Sequence, residues 1–381
     1  MIGGFAFATA TEIAFGRGQA ASAAARAAAY GRRIVLCHGA NAGRADFLAD
    51  ELTGQGCEVT RLTVAREPDL PMLEDALARM GGADAVVAIG GGAVIDAGKA
   101  LAALLPATRP VMDHLEVVGQ GLPLDVAPLP FIAIPTTAGT GAEVTRNAVI
   151  GVPERRRKVS LRDPRMLPRL AIVDPALTDG CPRGITLASG LDAITQVIEP
   201  YVSTRANPMT DAICADAIPR GLAALIRLMR AEDPAARDEM AWTSLAGGLA
   251  LANSGLGAVH GLAGPLGGLS GAAHGAICGV LLPHVLRVNR AAVTGRAAER
   301  LDRVGAWIGA AFGQPDAGLD RAAGMLAEWS AECGLPSLSA LGVDADMRNA
   351  AAVAAASSSS MKANPADLSA DRLIEAMQAA G

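Results

Sequence analysis

A chain of 381 residues is long enough for two domains, and its net charge is −5. Its basic residues form no long run and aromatic residues make up only 3% of it, so a nucleic-acid-binding surface is not expected. The six cysteines are scattered without a CxxC pair, which predicts free thiols and a reducing, cytoplasmic location, with no disulfide framework.

The N-terminal part of the chain alternates predicted strands with helices, the pattern of a parallel sheet with right-handed crossovers. The predicted strands are Glu12–Phe15, Arg33–His38, Glu58–Val64, Asp84–Ile89, Phe131–Ile134, Ala148–Gly151, Lys158–Leu161 and Ala171–Val173. The predicted helices between them are Ala20–Tyr30, Phe47–Gly54 and Asp69–Met80. From Thr178 the pattern is helical to the C-terminus. We therefore expect an α/β nucleotide-binding domain over residues 1–178 and an all-α domain over residues 179–381.

A glycine-rich segment follows the predicted strand that ends at Ile89. Gly90, Gly91 and Gly92 precede Ala93, near which a helix is expected to begin. Glycines let backbone N–H groups approach an anion closely, and a helix N-terminus adds partial positive charge, so the expected ligand is a pyrophosphate. The segment is not the GxGxxG fingerprint, and a tight strand–helix turn without a ligand explains it equally well.

A second loop, PTTAGTGAEVT from Pro135 to Thr145, follows the predicted strand Phe131–Ile134. Open parallel sheets bind their ligands at the carboxyl ends of the strands. Two loops of this kind, each placed after a strand, favour a nucleotide-binding site over two turns without a ligand.

Two histidines lie in a segment from Ala241 to Leu286 that contains no charged residue. His260 and His274 are separated by a proline and five glycines, which would let the backbone bend both rings inward. Upstream, Asp192 and Gln196 lie one turn apart on a predicted helix. One carboxylate and two imidazoles are the minimal set for a divalent transition metal, with the amide oxygen as a weaker fourth ligand. The alternative is that each histidine is a hydrogen-bonded core residue.

The same uncharged segment is long enough to span a membrane. It contains eleven glycines, two prolines and three histidines, a composition that favours buried helices of a globular domain and predicts no membrane span. Structural roles are expected for His114, for His284 at a helix start after Pro283, and for His38, which ends a strand where it would also be able to touch an adenine ribose.

Five motifs occur in an order that closely resembles the group III, iron-containing alcohol dehydrogenases. They are GGGAVIDAGK, PTTAGTGAEVTRNAVI, KVSLRDPRMLPRLAIVDPALT, GLDAITQVIEPYVS and HGLAGPLGGLSGAAHGAICGVLLPHV. The resemblance implies a dehydroquinate-synthase-like architecture, in which an α/β nucleotide-binding domain precedes an all-α domain and the active site lies in the cleft between them. It also implies a homodimer.

The resemblance also implies roles for individual residues. A pyrophosphate would be held by Gly90, Gly91, Gly92 and Ala93, with Asp96 near the same loop. The adenosine and phosphate path would be lined by Thr136, Thr137 and Thr140, and the nicotinamide ribose would be reached by Lys158. A catalytic Fe²⁺ or Zn²⁺ would be bound by Asp192, His260 and His274.

Two positions depart from the family pattern. The family usually has histidine where this chain has Gln196, and a further histidine where it has Gly264. An amide oxygen is a poorer donor to iron or zinc than an imidazole, so we expect weaker metal binding. No carboxylate follows the predicted strand Arg33–His38, so both NAD and NADP stay open as the cofactor.

The implied activity is metal-assisted, NAD(P)-dependent interconversion of an alcohol and an aldehyde. A bound ion would lower the pKa of the alcohol oxygen, and hydride would pass to the nicotinamide. One alternative is a metal-independent reductase similar to maleylacetate reductases, in which basic side chains hold a substrate carboxylate. Another is a dinucleotide-binding protein with weakened catalysis. The small residues expected around the pocket permit a bulky substrate without identifying it.

Overall fold

The computed structural model describes residues 3–381, which form two compact units. One unit, here called the α/β unit, contains Thr9–Thr137 and Gly141–Thr178. The other, the helical unit, contains Asp179–Gly381 together with Ala138–Thr140 and the described residues before Thr9. Residues 1 and 2, which the predicted first domain includes, lie outside the described residues. The division at residues 178 and 179 as two folding domains stays a prediction.

A six-stranded parallel sheet forms the centre of the α/β unit, in the order β1-β8-β5-β4-β2-β3. Its strands are β1 (Ile13–Phe15), β2 (Arg33–His38), β3 (Glu58–Thr63), β4 (Ala85–Gly90), β5 (Phe131–Pro135) and β8 (Leu170–Val173). A separate antiparallel pair is formed by β6 (Asn147–Val152) and β7 (Arg157–Arg162). Strands β4, β5 and β8 are buried along their whole length, as expected for parallel strands covered on both faces. The predicted parallel α/β sheet is confirmed.

The helices of the α/β unit are α1 (Ala23–Ala28), α2 (Asp46–Gly54), α3 (Leu70–Arg79), α4 (Gly92–Leu104) and the short α5 (Val111–His114). The first is shorter than predicted, because a 3₁₀ turn over Gln19–Ser22 precedes it and Gly31, with φ of +148°, lies just beyond it. Helix α3 begins after Asp69, whose carboxylate accepts a hydrogen bond from Met72 N at 2.9 Å.

The helical unit contains α6 (Arg183–Val202), α7 (Pro208–Leu228), α8 (Pro234–Ser254), α9 (Ala258–Ser270), α10 (His274–Ala292), α11 (Gly295–Ala311), α12 (Leu319–Glu332), α13 (Ala345–Ala355) and α14 (Ala370–Ala379). Helix α6 packs against α7, α8 and α10 and is buried continuously from Gly190 to Val202. A helix buried on all sides must satisfy its polar side chains inside the protein. The buried acids and amide of α6, which are Asp192, Gln196 and Glu199, must therefore find partners inside the protein.

One proline-based expectation was wrong. Pro283 lies inside α10, so His284 is not at a helix start. Pro265 likewise lies inside α9, and the bend expected between His260 and His274 lies after that helix at Gly271, one of the five glycines, whose φ is +73°. The physical reason is tertiary packing: buried apolar residues on both sides of each proline hold the helix together despite the missing N–H donor.

The uncharged segment from Ala241 to Leu286 is divided among α8, α9 and α10. Within residues 3–381, no helix combines the length and the apolar character needed to cross a bilayer.

Candidate functional site

Close packing between α6 and α10 brings the predicted metal ligands together. A Cβ atom on Gly275 would lie 2.5 Å from the carbonyl oxygen of Ala188, and one on Gly279 would lie 2.7 Å from Leu191. Only glycine therefore permits this approach of the two backbones. As a result, the start of α10 lies directly against Asp192.

Four side chains converge at this contact: Asp192, His260, His274 and Cys278, whose potential ligand atoms all lie within 4.8 Å of one another. Asp192 Oδ1 is 3.4 Å from His260 Nε2 and 3.8 Å from His274 Nε2. Cys278 Sγ is 3.6 Å from His274 Nε2. We call these four residues the metal cluster. The structure thus places the predicted Asp192, His260 and His274 around one centre.

Two atoms of the metal cluster are buried without hydrogen-bond partners among the described residues: Asp192 Oδ1 and His260 Nε2. Their 3.4 Å contact with each other lacks hydrogen-bond geometry. Leaving such groups unpaired costs about 1–3 kcal/mol each, and more for a charged group. A cation between them would satisfy both, so the residues present fit a divalent metal ion.

Glu199 holds the His260 ring in place from the other side. Its Oε2 lies 2.6 Å from His260 Nδ1, and its Oε1 accepts a hydrogen bond from Val259 N at 2.7 Å. A carboxylate at Nδ1 retains the proton there and leaves the lone pair of Nε2 directed at Asp192. This is the arrangement that supports a histidine metal ligand.

Charge within the cluster shifts the pKa values of its members. Burial disfavours the protonated form of His274, but Cys278 and Asp192 outweigh it and raise its pKa to about 9. The pKa of His260 is also raised, by Cys278 and Glu199 against the effect of burial. Burial would raise the pKa of Asp192, yet the two histidines lower it. The site therefore stabilises positive charge at its centre.

Gln196 lies one turn after Asp192 and is also buried. Its Nε2 donates a hydrogen bond to the carbonyl oxygen of Thr140 at 2.7 Å. Because a carbonyl oxygen accepts only, this contact fixes which end of the amide faces Thr140. The amide nitrogen of Gln196 thus tethers the Ala138–Thr140 segment to α6.

Two residues of the site were not predicted from the sequence: Glu199 and Cys278. Both carried a periodic signal, since Glu199 is seven residues after Asp192 on α6 and Cys278 is four residues after His274 on α10. Helical positions with these spacings share a face.

The predicted nucleotide loops follow adjacent strands of the sheet. Gly90 pairs with Pro135 across β4 and β5, and Thr136 N donates a hydrogen bond to the Gly90 carbonyl oxygen at 2.9 Å. A Cβ on Gly91 would meet Thr137 Oγ1 at 3.4 Å. Helix α4 begins at Gly92, and its first backbone hydrogen bonds run from Val94 N and Ile95 N to the Gly91 carbonyl oxygen, so the N–H groups of Gly92 and Ala93 precede them and have no acceptor within the helix. These loops form the kind of strand-end surface that binds phosphate.

The remaining predicted cofactor residues have partners of their own. Asp96 Oδ2 accepts a hydrogen bond from Val149 N at 3.1 Å, and Lys158 Nζ lies 2.5 Å from Glu67 Oε2. Thr140 groups with the helical unit, apart from the α/β unit of Thr136 and Thr137.

The two histidines of the α/β unit contact backbone carbonyl groups. His38 Nδ1 donates to the carbonyl oxygen of Gly39 at 2.8 Å, and His114 Nδ1 to that of Leu122 at 3.1 Å. Both side chains are buried. These contacts give each ring a structural role.

Two family models match this chain. The model described as iron-containing alcohol dehydrogenase matches residues 10–175, and the one described as the C-terminal region of the Fe-containing alcohol dehydrogenase family matches residues 186–381. Together they include both nucleotide loops and the whole metal cluster.

Individual relatives agree with these models. Lactaldehyde reductase from Escherichia coli is 38% identical over 228 residues, so the match spans 59% of this chain and 59% of that relative's length. Long-chain-alcohol dehydrogenase 1 from Geobacillus thermodenitrificans is 39% identical over 268 residues, covering 69% of this chain and 67% of that protein. A crystal structure of a 1,3-propanediol oxidoreductase superposes with a TM-score of 0.88 and 29% identity, over 100% of both chains.

Proposed function

The chain belongs to the iron-containing alcohol dehydrogenase family, and on this premise we propose that it is an NAD(P)-dependent, metal-assisted oxidoreductase. It would interconvert an alcohol and an aldehyde. The observation that carries this proposal is the pair of buried, unpartnered atoms, Asp192 Oδ1 and His260 Nε2, inside a cluster of metal-ligand type.

In this proposal Asp192, His260 and His274 hold the ion. Gln196, one turn after Asp192 on α6, is the weaker fourth ligand. A divalent ion there supplies Lewis-acid chemistry at the substrate oxygen. Glu199 keeps the Nδ1 proton of His260 in place and so keeps Nε2 available. Asp192, His260 and Cys278 are buried, and low-dielectric surroundings strengthen their electrostatic contacts.

The cofactor-binding residues of the proposal are those of the two loops. Gly90, Gly91, Gly92 and Ala93 bind the pyrophosphate through backbone N–H groups, supported by the N-terminus of α4. The adenosine and phosphate path is lined by Thr136, Thr137 and Thr140, and Lys158 reaches the nicotinamide ribose. Asp96 lies near the pyrophosphate loop. The dinucleotide, NAD or NADP, carries the hydride. We further propose a homodimer in the cytoplasm, in keeping with the free thiols.

Metal removal and replacement test the proposal directly. The protein is stripped with a chelator, reloaded with Fe²⁺ or Zn²⁺, and assayed with NADH and NADPH. The substrates are small hydroxyaldehydes, the type in the name of one relative, and long-chain aldehydes, the oxidised form of the alcohols in the name of another. Activity should vanish on stripping and return on loading, and His260→Ala should lose at least about 10²-fold. Full activity in stripped protein would overturn the role of the metal.

Gln196 favours one second candidate, a metal-independent reductase of a carbonyl acid. The family position of a metal-binding histidine is occupied here by a neutral amide whose nitrogen is engaged by Thr140. Under this alternative, His260→Ala retains most of the turnover, and stripped protein reduces an oxo acid.

A further inference from the structure

We propose that Cys278 is a protein ligand of the metal, and that its thiolate makes the centre prefer zinc to ferrous iron. The inference rests on the proposed function, because it concerns the same metal cluster. It assigns the fourth position to a residue on α10 instead of Gln196 on α6.

The placement of Cys278 follows from helix geometry. It lies one turn after His274 on α10 and is fully buried. Gly275 and Gly279, which flank it on the same helix, let α10 pack closely against α6. The thiol is therefore held beside Asp192 and His274 by the backbone contact itself.

Two contacts within the cluster match the ligand spacing of a tetrahedral zinc site, and all four potential ligand atoms lie within 4.8 Å of one another. Zinc–sulfur bonds of about 2.3 Å and zinc–nitrogen bonds of about 2.0–2.1 Å place sulfur and nitrogen about 3.5 Å apart, and nitrogen and oxygen about 3.4 Å apart. The corresponding contacts are 3.6 Å for Cys278 Sγ–His274 Nε2 and 3.4 Å for His260 Nε2–Asp192 Oδ1. The contact between Asp192 Oδ1 and His274 Nε2 is longer, at 3.8 Å, and the His274 side chain is 33% exposed.

Charge also favours Cys278 over Gln196. Negatively charged ligands stabilise a buried divalent ion, and the carboxylate of Asp192 supplies one negative charge. A thiolate at Cys278 supplies the second, whereas the Gln196 amide is neutral and its nitrogen is engaged by Thr140. Thiolate is a soft ligand, and a tetrahedral set of nitrogen, sulfur and carboxylate oxygen suits zinc. Zinc centres can also expand to five ligands, which leaves room for a substrate oxygen.

X-ray absorption spectroscopy of the zinc-loaded full chain tests the proposal. We expect one sulfur scatterer at about 2.3 Å from zinc in the wild type. It should be lost in Cys278→Ser and retained in Cys214→Ser, a matched change at a buried cysteine of α7 outside the cluster. In competition titrations, the ratio of zinc to Fe²⁺ affinity should fall at least about tenfold in Cys278→Ser only.

The outcomes separate this inference from the proposed function. Zinc surrounded only by nitrogen and oxygen in an active wild-type enzyme would overturn the role of Cys278 and leave the metal-assisted activity in place. A wild type that binds no metal would overturn both. If Cys278→Ser fails to fold, the wild-type spectrum alone decides, because a sulfur neighbour is either present or absent.

Discussion

Glu199 shows how a residue outside the metal cluster determines what the cluster can bind. Its carboxylate contacts both His260 Nδ1 and Val259 N, so it fixes the ring and the backbone that carries it. Loss of such a contact typically weakens metal affinity by about 10–100-fold. Glu199 is therefore a positioning residue in our proposal.

We predict that Glu199→Gln weakens zinc binding by about tenfold or more, because the neutral amide holds His260 less firmly. The measurement is competition for zinc against a chromophoric chelator. Glu239→Gln, on α8 beside Arg220, is the control and should bind zinc like the wild type. Equal zinc affinity in Glu199→Gln and wild type would contradict the positioning role.

At the scale of residues, part of the site was readable from the sequence. His260, His274 and Asp192 stand out because charged or imidazole groups are rare in apolar helices. Glu199 did not stand out, since its partner His260 is 61 residues away and only the tertiary fold brings the two side chains together. Cys278 resembled an ordinary core cysteine, because its chemistry depends on neighbours contributed by two other helices.

At the scale of elements, the strands and the ends of α2 and α3 were predictable, whereas the starts of α1 and of the proline-containing α10 were not. Strands such as β4 and β5 are continuous apolar runs bounded by glycine or polar residues, a local signal that their burial preserves. Pro283 gave a misleading local signal, because packing in the helical core outweighs the cost of a proline inside a helix. What positions the metal cluster is likewise a packing feature, the close contact of α6 and α10.

We predict that Gly279→Ala destabilises the protein by about 1–3 kcal/mol, because its new methyl group would overlap Leu191 on α6. Zinc affinity should fall as well, since α10 carries two cluster residues. Gly264→Ala on α9 is the matched control: its Cβ meets no atom within 4 Å, so it should stabilise the helix by about 0.5–1 kcal/mol. Denaturant unfolding measures both changes, and an equal stability of the two variants would refute the packing argument.

At the scale of the whole molecule, the α/β unit contains three carboxylates that hold their charge to low pH. A hydrogen bond from a neighbouring side chain is the main reason why each carboxyl group has a pKa lowered to about 2. The donor is Arg33 for Asp84, Thr108 for Asp125 and Arg165 for Asp163. A depressed pKa in the folded state adds stability above the unfolded value near 3.8, and this stability is lost as pH falls toward 2.

We predict that the free energy of unfolding declines between pH 4 and pH 2, and that Asp163→Asn flattens part of this decline. Asp163 accepts hydrogen bonds from Leu124 N and from the Arg165 guanidinium, so the variant should also be less stable at pH 7. Denaturant titrations at several pH values measure the slope. Asp50→Asn, at an exposed position on α2, serves as the control. If the free energy of unfolding of Asp163→Asn fell with pH as steeply as that of the wild type, the prediction would be contradicted.

The pairing of β1 with β8 has a consequence for biosynthesis. Ile13 of β1 lies opposite Ala171 of β8. Strand β1, one of the first to leave the ribosome, therefore cannot pair until β8, one of the last of its unit, has been synthesised. Closing so long a loop is entropically slow, and the early strands stay exposed in the meantime. A nascent chain arrested before Leu170 should therefore be cleaved by proteases near Ile13 and should bind chaperones. Once translation has passed Val173, the chain should become resistant near Ile13 and release the chaperones.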